Sequence, residues 1–304
     1  CNDSILAKHC SPNCIYYHNN NYQQGVFSMD EIHRMSRQRM DTDFSGVTLN
    51  LDQILDSQLD DRAYPGELIT LFGLTGAGKT ALGMQIASGI DVYGNPISDL
   101  LPTLYISMEM SNLMMYRRFV QQVSGVDKHR AMDIIQNRTD PVEGLSHIMM
   151  RYISPDISTI KQEVKEYQPK LVVIDHLELL LGDGDSRTKI SKITRDLKRI
   201  ALENDIIVLQ ISQTSRSYSR ENRLDLYAGK ESGSIEHDSD KVMGLWGNAE
   251  SKYKKIQMFK NREAEKNSVV FTEMNNSMLM TLDPTEGWAD VEQQKKLENE
   301  MNKL

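Results

Sequence analysis

Eight consecutive residues constrain this chain more than any others. Gly73-Leu-Thr-Gly-Ala-Gly-Lys79-Thr80 fits the pattern G-x-x-x-x-G-K-[ST]. Gly73, Gly76 and Gly78 let the main chain wrap closely enough for its N–H groups to point inward at an anion. Ala77 lies within that wrap, and Ala81 opens the helix whose N-terminus faces the same anion. In such a loop the lysine, Lys79, reaches the β- and γ-phosphates of a nucleotide, and the hydroxyl of Thr80 is offered to Mg²⁺. The alternative is a glycine-rich turn that holds nothing. Its setting argues against that: LITLFG (68–73) is an apolar run of strand length immediately before it, and TALGMQIASGI after it has helical period through Leu82, Ile86 and Ile90.

Further short apolar runs occur at 104–107 (LYIS), 171–174 (LVVI) and 206–211 (IIVLQI), with helical patterns between them. Segment 187–202 places Ile190, Ile193, Leu197, Ile200 and Ala201 on one face and mostly Lys and Arg on the rest. Strands that read as apolar throughout, alternating with helices, predict an α/β fold: a mostly parallel central sheet with helices on both faces. Two more strand-like runs lie near 255–259 and 268–273, and 214–240 is polar and loop-like. No stretch approaches the roughly 20 apolar residues a membrane span needs.

Moving a phosphoryl group to water needs a carboxylate for Mg²⁺, a group to orient the water, and positive charge for the transition state. Asp175 closes the LVVID run, where a strand-end carboxylate faces the ligand crevice of a parallel sheet; the plain alternative is an aspartate capping a helix. Glu109, in ISMEMS, is a candidate base, or a glutamate serving a helix dipole. Gln213 ends IIVLQISQ and could bridge to a γ-phosphate, or be an ordinary polar strand end. Lys260 and Arg262 in FKNR carry the charge such a transition state needs; basic residues past a strand are otherwise solvated surface.

The order of these pieces resembles the C-terminal motor domain of the DnaB-family replicative helicases. GELITLFGLTGAGKTALG resembles the family's Walker A segment, YISMEMS the element with the catalytic glutamate, and LVVIDHLELL Walker B. ESGSIEHDSDKVMGLW (231–246) resembles the block after the DNA-binding loop, and FKNR the terminal basic motif. The resemblance covers roughly 43–275. It implies a RecA-like P-loop NTPase core, with ATP or another NTP and Mg²⁺ as ligands. Glu109 would activate water, Gln213 would contact the γ-phosphate, and Lys260 and Arg262 would reach a neighbouring subunit's ATP. Arg118 would contact the base. It further implies a homo-oligomeric ring, a hexamer, around single-stranded DNA in the cytoplasm of a bacterial or phage-infected cell. Where the family often has Gln-Leu-Asn-Arg, this chain has Gln213-Thr-Ser-Arg216.

The net charge of −8 excludes a uniformly basic DNA-binding surface but not a ring that grips a strand with a few loop residues. Two segments qualify: 182–189, a loop ending in Arg187 and Lys189, and 214–230, carrying Arg216, Arg220 and Arg223. The bland reading is a pair of solvated loops. Two rival functions stay open: a RecA- or RadA-like ATPase forming filaments on single-stranded DNA, and a non-catalytic nucleotide-binding subunit attached to a primase.

Before the core, the sequence divides into a Cys/His segment (1–28) and a linker helix (29–45) with Ser28 as N-cap and Asp30 and Glu31 in its first turn. The core is expected over 46–285 and a charged helical tail over 286–304. All three cysteines, Cys1, Cys10 and Cys14, fall in the first segment, which suits a reducing compartment. With His18 they offer four ligands at spacings that can surround Zn²⁺. His9 competes as the fourth, an iron–sulfur cluster is a further option, and free thiols in a disordered stub are the plain alternative. The chain opens on Cys1 rather than Met, so a fragment of a longer protein is expected. With the Cys/His segment standing where DnaB proteins have an N-terminal helical domain, the resemblance points to a phage primase–helicase architecture, with a primase part before Cys1.

Overall fold

The computed structural model describes residues 28–34, 47–48, 62–91, 93–96, 100–141, 143–151, 156–180, 186–213, 235, 237–247, 251–262 and 269–282. Two short strands, β1 (Val47–Thr48) and β2 (Arg62–Ala63), pair antiparallel with each other. The remaining strands form one nine-stranded sheet: β3 (Leu68–Gly73), β4 (Thr103–Ser107), β5 (Ile148–Arg151), β6 (Leu171–Asp175), β7 (Ile207–Gln213), β8 (Lys241–Trp246), β9 (Tyr253–Asn261), β10 (Val269–Met274) and β11 (Met280–Leu282). Their order is β11-β10-β9-β8-β3-β7-β6-β4-β5. From β8 to β5 neighbouring strands are parallel; β9, β10 and β11 continue antiparallel on the β8 side.

The helices are α1 (Lys79–Ser88), α2 (Asn112–Val123), α3 (Lys128–Gln136), α4 (Ile157–Tyr167) and α5 (Ser186–Asn204). Ser111, Asp127 and Asp156 cap α2, α3 and α4 by accepting first-turn N–H groups on their side chains. The central strands are buried on both faces, so they read as unbroken apolar runs, yet their side chains still alternate. Ile69 and Leu71, Tyr105, Val173, and Leu209 and Ile211 join the core packed under α1 and α2. Leu68, Leu104 and Ile106, Val172 and Ile174, and Val208 join the opposite core, with Ile160 and Val164 of α4 and Ile190, Leu197 and Ile200 of α5. This is the layered α/β architecture expected from the sequence.

Within the nine-stranded sheet, β5, β8 and the three-residue β11 were not expected. β8 begins with Lys241, a charge that disguises a central strand. Lys241 is fully buried and its Nζ donates to both carboxylate oxygens of Glu67 at 2.7 Å. β5 is short and only half-buried, so its pattern is weak. The loop expected over 182–189 is corrected in part: α5 starts at Ser186, so Arg187 and Lys189 stand in its first turn. The helical period anchored by Ile190 runs back one turn further than the apolar residues show. The short helix at 29–34 carries the expected cap. Ser28 and Glu31 cap reciprocally, the Ser28 main-chain N–H and hydroxyl donating to Glu31 and the Glu31 N–H to Ser28. The rest of that linker, the 286–304 tail, Cys1, Cys10, Cys14, His18, and the loop with Arg216, Arg220 and Arg223 lie outside the described residues, as does the side chain of Arg187.

Candidate active site

Strands β3, β6, β4 and β7 end at the same edge of the sheet, where the parallel ladder delivers every loop to one crevice. A cavity of about 430 Å³ opens there. The glycine-rich loop after β3 forms its floor through Thr75, Gly76 and Gly78, with Lys79, Thr80 and Ala81 of α1. Gly76 and Gly78 hold φ angles of +79° and +106°, which only glycine adopts without strain. Gly78 is the helix N-cap and has no side chain to cap with, so first-turn N–H groups of α1 remain for a ligand. Gly73 and Ala77 are not among the lining residues. Gly73 instead lends its carbonyl to Lys79, and Ala77 is buried behind the loop.

Lys79 is folded across the loop, its Nζ donating to the carbonyls of Gly73 and Leu74 at 2.9 Å each. Burial lowers its pKa from the ordinary lysine value, against the pull of Glu178, Asp175 and Glu109. Thr80 Oγ1 donates to Asp175 Oδ1 at 3.3 Å, and the buried Tyr105 hydroxyl donates to Oδ2 at 3.1 Å. Burial raises the Asp175 pKa, though both of those hydrogen bonds oppose it. A hydroxyl and a carboxylate at one edge of a phosphate cradle are the hard oxygen donors that Mg²⁺ takes beside a nucleotide. These residues therefore fit a magnesium nucleotide.

Glu109, from the turn after β4, lines the cavity with its side chain 57% exposed. Arg118 of α2 lines it too, and its buried Nε has no hydrogen-bond partner among the described residues. Gln213, His176 and Glu109 close the far end: Gln213 Nε2 lies 3.0 Å from His176 Nε2, which is 3.8 Å from Glu109 Oε2. His176 Nδ1 is 2.9 Å from Glu178 Oε2. Burial pulls the His176 pKa down, but Glu178, with Asp175 and Glu109, outweighs it and holds it above the ordinary histidine value.

The structure thus brings Lys79, Thr80, Glu109, Arg118, Asp175 and Gln213 to one cavity. Lys260 and Arg262 are not among its lining residues. They sit at the end of β9, on the turn before β8. Lys260 Nζ donates to the Ser239 carbonyl at 2.7 Å, and Arg262 to Asp240 Oδ1 at 3.0 Å and the His237 carbonyl at 3.2 Å. The Arg262 side chain is 48% exposed. Asp240 also accepts the main-chain N–H of Leu68 at 2.8 Å and Lys198 Nζ at 2.6 Å, tying this turn to the start of the strand that carries the loop.

Sequence reasoning missed His176 and Glu178, although both stand inside LVVIDHLELL. It also missed four methionines on the cavity wall: Met110 and Met114 near α2, and Met274 and Met278 of the β10–β11 hairpin. The hairpin is sewn down by amides. Gln121 donates to Asn276 O, Gln122 to Met278 O, and Gln85 both donates to and accepts from the Met280 main chain. Those partners are 155 to 195 residues apart, and no local signal announces them.

Over residues 46–279 the chain matches the DnaB-like helicase C-terminal domain family. It belongs to that family. A relative is the replicative DNA helicase DnaB of Synechocystis sp., 33% identical over 191 residues, which are 57% of this chain and 21% of the relative. The DnaB of Treponema pallidum is 28% identical over 228 residues, 69% of this chain and 50% of the relative. The chain therefore spans between a fifth and a half of these two DnaB relatives. Two solved structures share the fold. One, an ATPase domain, superposes with a TM-score of 0.67 at 19% identity, covering 85% of this chain and all of that one. A DnaB-like replicative helicase, described with its interactions with primase, gives a TM-score of 0.64 at 19% identity, covering 84% of this chain and 68% of that one. The mostly parallel α/β core expected from the sequence is thus the fold these two structures share. Among the described residues no helix is long and apolar enough to cross a membrane.

Proposed function

We propose that this chain is the motor of a ring-forming, NTP-hydrolysing replicative DNA helicase that moves along single-stranded DNA in the cytoplasm. The observation that carries this is the convergence of Lys79, Thr80, Asp175 and Glu109 on one cavity, within a chain of the DnaB-like family. Lys79 and the loop N–H groups bind the phosphates, and Thr80 and Asp175 hold Mg²⁺. The metal, when bound, offsets charge on the phosphate oxygens. Glu109 accepts a proton from the attacking water, Gln213 contacts the γ-phosphate, and Arg118 packs beside the nucleoside.

Lys260 and Arg262 serve a neighbouring protomer's nucleotide, so the ring, a hexamer in this reading, shares its sites. Their placement away from this chain's own cavity, with Arg262 half-exposed, supports that role. Family membership favours this reading over a filament-forming strand-exchange ATPase. Arg187, Lys189, Arg216, Arg220 and Arg223 are the proposed DNA contacts, and primase is the proposed partner. The domain division stays as 1–28, 29–45, 46–285 and 286–304.

The test is NTP hydrolysis with and without single-stranded DNA for the full chain, Lys79→Ala, Arg262→Ala and a mixture of the two variants. Each variant alone should lose turnover, and the mixture should regain part of it at interfaces pairing an intact Lys79 with an intact Arg262. No regain on mixing contradicts the shared site; no hydrolysis by the full chain under either condition contradicts the motor itself.

A further inference from the structure

Glu178 sits in the turn after β6, Leu177–Leu180, yet its carboxylate is spent on the end of β7. Oε1 accepts the Ser212 hydroxyl at 2.6 Å and the main-chain N–H of Gln213 at 2.8 Å; Oε2 faces His176 Nδ1 at 2.9 Å. A carboxylate only accepts, so Nδ1 carries the hydrogen. The other ring nitrogen, Nε2, then meets the Gln213 side-chain amide, 3.0 Å away. Gln213 is therefore held twice by one carboxylate, directly at its main chain and through His176 at its side chain. The glutamate and histidine side chains are only 18% and 10% exposed, so solvent competes little for these bonds.

A strap that merely joins two strands does not explain this arrangement. The β6–β7 ladder registers Leu171 with Ile207 through Ile174 with Gln210 and stops there. Glu178 acts beyond its end, on the residue that registers opposite Gly73 on β3, the first residue of the phosphate loop. Its bonds fall where the sheet has finished and the site has begun.

We propose that Glu178 is a positioning residue for hydrolysis: through His176 and the Gln213 main chain it fixes the Gln213 amide against the phosphate end of the cavity. This rests on the reading of Gln213 as the γ-phosphate contact. Groups that act by orientation alone lose rate steeply when displaced, with about a hundredfold loss for a shift near 1 Å.

The experiment is a double-mutant cycle on the full chain, measuring kcat and KM for ATP with Mg²⁺ in Glu178→Gln, Gln213→Ala and the pair. In Glu178→Gln the amide oxygen can still accept from Ser212 and Gln213. Its NH₂, however, faces the His176 Nδ1–H, donor against donor, so the bond that fixes the ring to residue 178 is lost. Glu178→Gln should lower kcat by about tenfold to a hundredfold, leave KM within about twofold, and add no more than about twofold once Gln213 is alanine. Equal losses in both backgrounds, a change confined to KM, or a wild-type kcat overturns the proposal. An unchanged kcat in Gln213→Ala overturns the reading of Gln213 beneath it, which separates the two failures. Should Glu178→Gln lose its cooperative unfolding transition, His176→Ala, which keeps the Ser212 and Gln213 main-chain bonds, goes through the same cycle under the same criteria.

Discussion

Replacing Glu67 with Gln should destabilise the fold by about 3 kcal/mol, although the side chain keeps its shape. Lys241 is wholly buried and bound at 2.7 Å to both Glu67 oxygens, with the Tyr64 ring 5.1 Å from its Nζ. Removing one partner of a buried pair costs about 3–5 kcal/mol, because the remaining charge keeps its desolvation penalty and loses its compensation. The glutamine oxygen keeps one hydrogen bond and returns about 1 kcal/mol, while the Tyr64 face already meets the ammonium in the native pair and adds nothing new, which leaves a loss of about 3 kcal/mol. Lys241→Met alone strands the carboxylate and should cost a similar amount. The double variant Glu67→Gln, Lys241→Met removes both charges and should regain most of the sum, since replacing a buried pair by neutral groups is often close to neutral. Urea unfolding of the four proteins measures this, with m unchanged across the set as the sign that the native surface is intact. A single-variant loss below about 0.5 kcal/mol, or a double variant as unstable as the two singles added, refutes the assignment of the pair as the clamp of the β3–β8 ladder.

Burial pushes the Lys254 pKa down to about 8, from an ordinary value of 10.5. The unfolded chain therefore binds that proton more tightly. The cost is fully present below about pH 8 and is relieved as pH climbs to the ordinary value, so stability rises over that window. Lys254→Met should raise stability at neutral pH, by up to about 3 kcal/mol, and flatten the rise; an unchanged pH profile of urea midpoints counts against this. Gly78→Ala places a Cβ 2.7 Å from Met280 Cε at a φ of +106°. It should cost about 1–3 kcal/mol and weaken ATP binding measured by calorimetry, whereas wild-type affinity would mean the loop conformation is not what binds phosphate.

The sheet and the phosphate loop were legible because each rests on local rules. Apolar runs of strand length report burial on both faces, and G-x-x-x-x-G-K-T reports a loop whose main chain must turn inward. Asp175 followed because strand ends of a parallel sheet converge, and Glu109 was an open candidate whose role the family resemblance implied. What stayed hidden depends on partners distant in sequence. β8 was concealed by Lys241, whose charge is tolerated only because Glu67, 174 positions earlier, meets it. The methionine wall depends on Gln85, Gln121 and Gln122 catching a hairpin that lies far along the chain. Glu178 and His176 were in plain view but silent, because their importance lies in which atoms of Gln213 they touch.

The most direct test is to compare Glu109→Gln with the unaltered chain for Mg²⁺–ATP affinity and for turnover in the presence of single-stranded DNA. The glutamine keeps the shape of the cavity and gives up the base. Affinity should hold within about twofold while turnover falls by about 10²–10⁴-fold. Turnover equal to the unaltered chain, with ATP bound in this cavity, would contradict the account.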